Sequence, residues 1–252
     1  NDENVWAHWS RGNYGPGDWS GSHNDLAAGV DLYHTDHSRA GISVMHTNSS
    51  LDRTENLGEV SMKKKFTRVS LYGRHDFAGG LHAAGDVFAG GIRIKDTSLV
   101  DMSTRTAGVH AEVGVDVPAG RGTITPLVRA AYAGIRGFTT KDGEGFPFTM
   151  KESHYSSFSA GLKASLPLSP VSLLTAYAGW GIRTGYDIDG TMSDAWNTMD
   201  ISESGKEHVK TLGIGYRCDV TPFARLSLSA AREFSSGLHD DWNFQVSAAY
   251  KF

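Results

Sequence analysis

The chain has 252 residues, of which 39% are hydrophobic and 21% charged, with a net charge of −4 at pH 7 and a mean hydropathy of −0.32. The lack of a basic excess argues against a nucleic-acid partner, and apolar residues throughout the length argue against disorder. A single cysteine, Cys218, excludes a disulfide framework and a site built from several thiolates. These averages are typical of a soluble globular protein, but the order of the residues indicates a different environment.

No segment has the length and apolarity of a membrane-spanning helix. Such a helix needs about 18 consecutive apolar residues, and the most apolar run, residues 173–182, is much shorter. The first four residues, Asn1 to Asn4, are polar and acidic, unlike a secretory leader. We therefore expect either that a leader was removed or, as the ragged start favours, that the chain is part of a longer precursor.

Apolar and polar side chains instead alternate with a period of two, which is typical of β-strands. In residues 241–252 the even positions are aromatic, aliphatic or small, and the odd positions are polar or small. Residues 211–217 and 225–233 show the same alternation. The pattern predicts about twelve strands, at residues 4–11, 23–33, 39–48, 63–77, 81–95, 104–117, 123–137, 155–167, 171–186, 206–219, 224–234 and 241–252.

The lengths of these strands and of their connections favour a membrane barrel. Strands of roughly 8–16 residues exceed the usual length of about 5–6 and suit a bilayer, which a tilted strand crosses in about 9–11 residues. Short turns alternate with longer polar loops along the chain, as in outer-membrane barrels. The short turns are at 34–38, 78–80, 118–122, 168–170 and 220–223, and the loops are at 12–22, 49–62, 96–103, 138–154, 187–205 and, shorter than the others, 235–240.

The predicted fold is an all-β, twelve-stranded antiparallel transmembrane β-barrel with both termini in the periplasm, formed by residues 1–252 as a single domain. Pro126 lies inside a predicted strand, where it lacks a backbone donor, so we expect a bulge or local distortion there. A water-soluble barrel with an apolar interior is the alternative. It is disfavoured because the small apolar residues of this chain cannot fill a lumen enclosed by twelve strands.

A barrel with a polar lumen turns its apolar face towards lipid. Charges of both signs on the inner face can pair across the lumen. The predicted pore-lining residues are His110, Glu112, Arg129, Lys163, Arg183, Arg217 and Glu233, together with Asp31, Arg68 and Arg74. The predicted lipid-facing residues are Leu26, Ala28, Val30, Leu32, Val69, Leu71, Val113, Val115, Val128, Ala130, Tyr132, Leu162, Ala164, Leu166, Leu174, Ala176, Ala178, Trp180 and Ile182, and Cys218 shares their face.

Seven stretches of the chain carry a family resemblance through their order and spacing. They are residues 5–7 (Val-Trp-Ala), 29–31 (Gly-Val-Asp), 124–128 with Tyr132, 159–165, 212–216, 226–228 and the terminal 249–252. In this arrangement the chain resembles the C-terminal translocator β-domain of type V (autotransporter) secretion proteins of Gram-negative bacteria. The acidic motif usual in that family after the seventh strand is not obvious at residues 137–140.

The resemblance implies a monomeric barrel, integral to the bacterial outer membrane, that secretes an N-terminal passenger to the cell surface. Its implied partners are outer-membrane lipid, the barrel-assembly machinery, and its own passenger and linker helix in the lumen. The implied assembly signal is the terminal aromatic Phe252 with Tyr250, Val246 and Phe244 at alternating positions. Neither a cofactor nor a metal is implied.

Two other classes of function stay open at this point. An outer-membrane hydrolase needs a His, a Ser and an acid at one rim. The nearest clusters are residues 34–37 (His-Thr-Asp-His), whose two histidines have the spacing to hold a metal, and 239–241 (His-Asp-Asp), an Asp/His pair able to activate water. Solvated turn residues explain the first cluster better. A free-standing porin or adhesin is the other class. If the chain is a translocator, the barrel could also cleave its own passenger, with Glu112 as the candidate acid. A salt bridge with Arg129 is the favoured role of Glu112.

Overall fold

The computed structural model describes residues 5–14, 19–55, 58–96, 101–141, 145–185, 188–193, 198–203, 205–235 and 240–251. Twelve long strands form the wall of a barrel: β1 (Val5–Tyr14), β2 (Trp19–His34), β3 (Ser38–Glu55), β4 (Gly58–Asp76), β5 (Leu81–Asp96), β6 (Met102–Val115), β8 (Gly122–Ile135), β11 (Ser153–Ser169), β12 (Ser172–Thr184), β15 (Lys206–Thr221), β16 (Ala224–Ser235) and β17 (Asp240–Tyr250). The remaining elements are β7 (Val117–Ala119), β9 (Phe138–Lys141), β10 (Pro147–Met150), β13 (Ile188–Ser193), β14 (Thr198–Glu203) and a 3-10 turn at Ala78–Gly80.

The barrel closes because its first and last strands pair with each other. Each wall strand pairs antiparallel with the next, and β1 pairs with β17 from Val5 opposite Tyr250 to Asn13 opposite Trp242. The described ends of the chain therefore lie side by side, at the end of the barrel that carries the short turns. The predicted twelve-stranded antiparallel barrel is confirmed. No helix in the described ranges is long and apolar enough to cross a membrane.

The apolar face of the wall points outward, as predicted. Leu26 and Leu71 expose 60% and 59% of their surface, and Leu162 exposes 55%. Their chain neighbours, such as Ala27 and Ser70, are buried on the inner side. Because the large apolar side chains surround the barrel and polar ones fill its interior, the arrangement suits lipid outside and water inside.

Beyond the apolar band the strands continue where the sequence predicted loops. Residues 49–62 were expected to form a polar loop, but β3 reaches Glu55 and β4 begins at Gly58. Residues 138–154 and 187–205 also contain strands, in the order β14-β13-β10-β9, with Phe148 opposite Met192 where the two hairpins meet. The loop prediction is wrong there because strands outside the bilayer have water on both faces and lose the alternation of hydropathy.

The local distortion expected at Pro126 is confirmed as an interruption of the ladder. Pairing on one side of β8 stops at Leu127 opposite Gly114 in β6 and resumes at Ile124 opposite Val117 in β7. At the break, the Thr125 hydroxyl donates a hydrogen bond to the Asp116 carboxylate (2.5 Å). A side-chain contact thus holds the wall together beside the missing proline donor.

Candidate functional site in the barrel lumen

The lumen contains the polar side chains that the alternation of the sequence assigns to the inner face. A cavity of about 580 Å³ is lined by residues of β1, β3–β6, β8 and β11, among them His110, Glu112 and Arg129. A smaller cavity of about 240 Å³ shares Arg129 and adds Arg183 and Glu233. Seven of the ten residues predicted to line a pore therefore lie at these two cavities, which share Arg129.

Glu112 and Arg129 lie directly opposite each other on β6 and β8. The Arg129 Nε donates to Glu112 Oε2 at 2.6 Å, and the guanidinium lies 4.9 Å from the centre of the Tyr177 ring. The other carboxylate oxygen of Glu112 is 3.7 Å from Nε2 of His82, which is 1% exposed. The predicted salt bridge is confirmed, and Glu112 joins a cluster that spans four strands.

Arg183 forms the second ion pair of the inner wall. Its two terminal nitrogens contact the two carboxylate oxygens of Glu233 at 2.5 and 2.6 Å. Glu207, which faces Arg183 directly in the next strand, lies 4.0 Å away. A two-pronged contact of this kind fixes the orientation of the guanidinium, so β12, β15 and β16 are connected across their inner faces.

His110 is held by a carboxylate that the sequence prediction missed. Asp86 is its direct neighbour on β5, and the two side chains are 2.8 Å apart. The His110 ring stacks on Phe88, and the guanidinium of Arg68 lies 4.9 Å from the centre of the same Phe88 ring. The signal that could have found Asp86 is the pairing of β5 with β6 in register, because it places opposite charges on one face.

A hydrogen-bonded chain of three side chains crosses β1, β4 and β2 on the inner face. Trp6 Nε1 donates to the Tyr72 hydroxyl at 2.9 Å, and that hydroxyl donates to Asp31 Oδ1 at 2.6 Å. The rings lie over inward glycines: a Cβ on Gly29 would be 2.5 Å from the Trp6 ring, and one on Gly41 would be 2.5 Å from the Tyr72 hydroxyl. Both rings therefore lie along the wall and leave the lumen open.

The same pairing of a ring with a glycine recurs in other parts of the wall. Tyr177 covers Gly161 and Gly179, where an added Cβ would lie 2.7 Å from a ring carbon at either position and, at Gly179, 2.2 Å from the hydroxyl oxygen. Phe88 covers Gly108 in the same way, at 2.7 Å. At these five positions, Gly29, Gly41, Gly108, Gly161 and Gly179, the missing side chain leaves the space in which a neighbouring ring lies.

Lys163 and Arg217 share the inward face but do not line the two lumenal cavities. Lys163 lies between Thr125 and Tyr177, and Arg217 lies between Leu173 and Ser227. Both positions are displaced towards the end of the barrel with the short turns. Their pore-lining role stays a prediction.

Three of the four residues of the predicted assembly signal lie on the outer face of β17. Tyr250 and Phe244 are exposed there, and Val246 is half-buried on the same face. Phe252 lies outside the described residues.

In the part of the chain that the structure describes, neither of the two clusters considered for hydrolysis forms a Ser-His-acid arrangement. His34 lies 3.8 Å from Asp31, while Asp36 and His37 are exposed in the turn. His239 lies outside the described residues. Within the described ranges, no three His, Cys, Asp or Glu side chains are arranged to hold a metal ion.

A closed barrel of twelve antiparallel strands, apolar outside and ion-paired inside, is an outer-membrane β-barrel. Residues 4–231 match the family profile of the autotransporter beta-domain, so the chain belongs to that family. It is a translocator barrel of the Gram-negative outer membrane that mediates secretion of a passenger. A comparison with curated protein sequences finds no match.

Three solved translocator structures share the fold at low sequence identity. The beta domain of the Bordetella autotransporter BrkA superimposes with a TM-score of 0.75 at 16% identity, covering 100% of both chains. The transport unit of AIDA-I from Escherichia coli gives 0.74 at 16% identity, covering 99% of this chain and 90% of the other. The translocator domain of NalP from Neisseria meningitidis gives 0.68 at 15% identity, covering 100% and 90%.

Proposed function

We propose that the end of the barrel with the short turns faces the periplasm and that the passenger crosses the membrane through the ion-paired lumen. The observation that carries this proposal is the seam between β1 and β17, which places the described ends of the chain side by side at the short-turn end. A passenger joined before residue 1 enters the lumen from that end. The long hairpins then face the cell exterior.

In this proposal the barrel is a passive conduit, a single-domain monomer that catalyses no reaction of its own. The charges of the inner wall favour this role. Its carboxylates contact cations of the wall, as Glu112 contacts Arg129 and Glu233 contacts Arg183. Charges neutralised in this way bind a passing polypeptide weakly. An extended chain or a linker helix can then move along the wall with little retention.

The orientation is tested by labelling intact cells with a membrane-impermeant maleimide. Two exposed basic residues at opposite ends, Lys141 in β9 and Arg121 in a short turn, are each replaced by cysteine in a Cys218→Ser background. We expect labelling of Lys141→Cys only, with both sites labelled after the cells are broken. Labelling of Arg121→Cys alone in intact cells would reverse the orientation.

The lumenal route is tested with a photo-crosslinking residue in a full-length precursor arrested during secretion. Ser157 lines the lumen, whereas its neighbour Phe158 is exposed on the outer face. We expect crosslinks to the passenger from position 157 and none from position 158. Crosslinking from 158 with none from 157 would place the passenger outside the barrel.

We further propose that Phe252, Tyr250, Val246 and Phe244 form the signal read by the barrel-assembly machinery. The exposure of Tyr250 and Phe244 on the last strand supports a recognition role. Deletion of Phe252 is expected to reduce insertion in cells by about tenfold, measured as the heat-modifiable band on a gel, equivalent to ~1.4 kcal/mol. Folding of the purified chain in detergent is expected to be unchanged, and Lys251→Ala serves as the control. Normal insertion of the truncated chain would refute the signal.

A further inference from the structure

The outer surface of β4, β5, β6 and the end of β8 carries a group of cationic side chains that neither the lumen nor the apolar band explains. All are exposed, and Arg93 and Lys95 show 57% and 59% of their side chains to the surroundings. We call this group the basic patch. It consists of Lys63, Lys65, Arg93, Lys95, Arg105 and Arg136.

The basic patch points towards the membrane side of the wall and lies where headgroups are expected. Lys65 shares its face with Val69 and Leu71, and β4 pairs with β5 without a shift in register. Lys65 and His75, near the opposite end of β4, are about ten residues apart, or ~34 Å at ~3.4 Å per residue. With a strand tilt of ~40°, the height is ~26 Å, close to the ~25 Å of an apolar band.

Within the patch, like charges face each other across neighbouring strands. Lys63 is opposite Lys95 and Lys65 is opposite Arg93, and the backbone N–H of Arg136 bonds to the carbonyl of Arg105 at 2.9 Å. Directly opposed like charges destabilise a sheet. Three such pairs on one surface therefore favour an anion that neutralises them.

The described carboxylates do not balance the patch. Asp101 contacts Arg93 at 2.6 Å and Lys95 at 3.2 Å, and the hydrogen bond from Arg93 lowers the pKa of Asp101. Asp52 and Glu152 lie at the flanks. Among the side chains that the structure describes, six cations thus face one central and two flanking carboxylates, which leaves a net positive charge.

The corresponding height on the other side of the barrel is built differently. There the exposed cations Lys206, Lys210 and Arg232 alternate with aromatic rings: Arg232 lies 4.7 Å from the centre of the Phe234 ring, and Trp180 stacks on His208 at 5.8 Å. Aromatic rings of this kind anchor a barrel at an interface without a specific lipid. Below the basic patch the outward residues are small, and a Cβ on Gly91 would have no atom within 4 Å, so a headgroup can approach the backbone.

We propose that the basic patch binds the phosphate groups of a lipid headgroup in the membrane leaflet at the hairpin end of the barrel. Arginine provides paired donors that match phosphate oxygens, and lysine adds compact charge. Bound phosphate relieves the repulsion between Lys65 and Arg93. In the proposed orientation the hairpin end lies in the outer leaflet, so the assignment to that leaflet rests on the proposed function. The binding of phosphate itself does not depend on the orientation.

The test is native mass spectrometry of the full barrel in detergent with lipid A carrying two phosphates, or with the same lipid after removal of both. We expect about tenfold tighter binding of the phosphorylated form, and loss of that preference in Lys65→Gln/Arg93→Gln/Arg105→Gln. A matched triple variant on the opposite side, Lys206→Gln/Lys210→Gln/Arg232→Gln, should keep the preference. The heat-modifiable band confirms that each variant is folded.

Equal binding of the two lipids, or an unchanged preference in the patch variant, would overturn the proposal. Displacement of the lipid by an equal concentration of inorganic phosphate would also overturn it, because the occupant would then be a free anion. Labelling that places the hairpins in the periplasm would reject the orientation alone. Phosphate-dependent binding would persist in that case, so the two failures are distinguishable.

Discussion

Leu228 and Ser229 are neighbours on β16, yet one faces the lipid side and the other faces the lumen. On the outer face, a side chain such as Leu228 needs only to be apolar, because its main contact is with fluid hydrocarbon. On the inner face, each large side chain depends on named partners, as Trp6 depends on Tyr72 and on the space above Gly29. The stability of the wall therefore depends on the polarity of a residue on the outer face, and on its size and its specific contacts on the inner face.

The largest expected effect comes from a charge on the outer face. Leu228→Arg places a cation near the middle of the bilayer, and we expect a loss of about 2–4 kcal/mol in the free energy of unfolding. Ser229→Arg, one residue along, places the same charge in the lumen and should change the free energy by less than about 1 kcal/mol. Urea unfolding in lipid vesicles measures both. Equal losses would erase the distinction between the faces.

A smaller effect is expected from a change of volume on the inner face. Gly29→Val puts carbon atoms where the Trp6 ring lies, and we expect a loss of about 1–3 kcal/mol through overpacking. Ala28→Val adds volume on the exposed outer face and should be nearly neutral. The same unfolding measurement applies, and tryptophan fluorescence reports displacement of the ring. A neutral Gly29→Val would show that the ring moves without cost.

The smallest effect concerns the lumenal ion pair. In a double-mutant cycle of Glu112→Gln and Arg129→Gln, we expect a coupling of about 1 kcal/mol, since both side chains are partly exposed and water screens them. Arg121→Gln in an exposed turn should change stability by less than about 0.5 kcal/mol. A coupling of zero would mean that the pair positions side chains without stabilising the barrel.

The sequence predicts which face a residue occupies better than it predicts which residue it contacts. Leu26 and Leu71 were assigned outward correctly because lipid and water impose a period of two on each strand. Contacts such as Arg183 with Glu233 depend on the register of strands about 50 residues apart, and a single sequence carries no sign of that register. Strand ends beyond the bilayer, as in β3, were missed because both faces meet water there.

The seam between β1 and β17 has a consequence for the order of assembly. His8 meets Gln245 at 2.9 Å and His23 meets Asn243 at 3.2 Å, so residues more than 200 positions apart complete the ring. Closing a loop of that size costs ~2.5 kcal/mol more entropy than closing a hairpin of about 15 residues. Until the last strand arrives, β1 has a row of unsatisfied backbone groups that lipid cannot solvate. The pairing of the two terminal strands is therefore expected to be a late event in assembly.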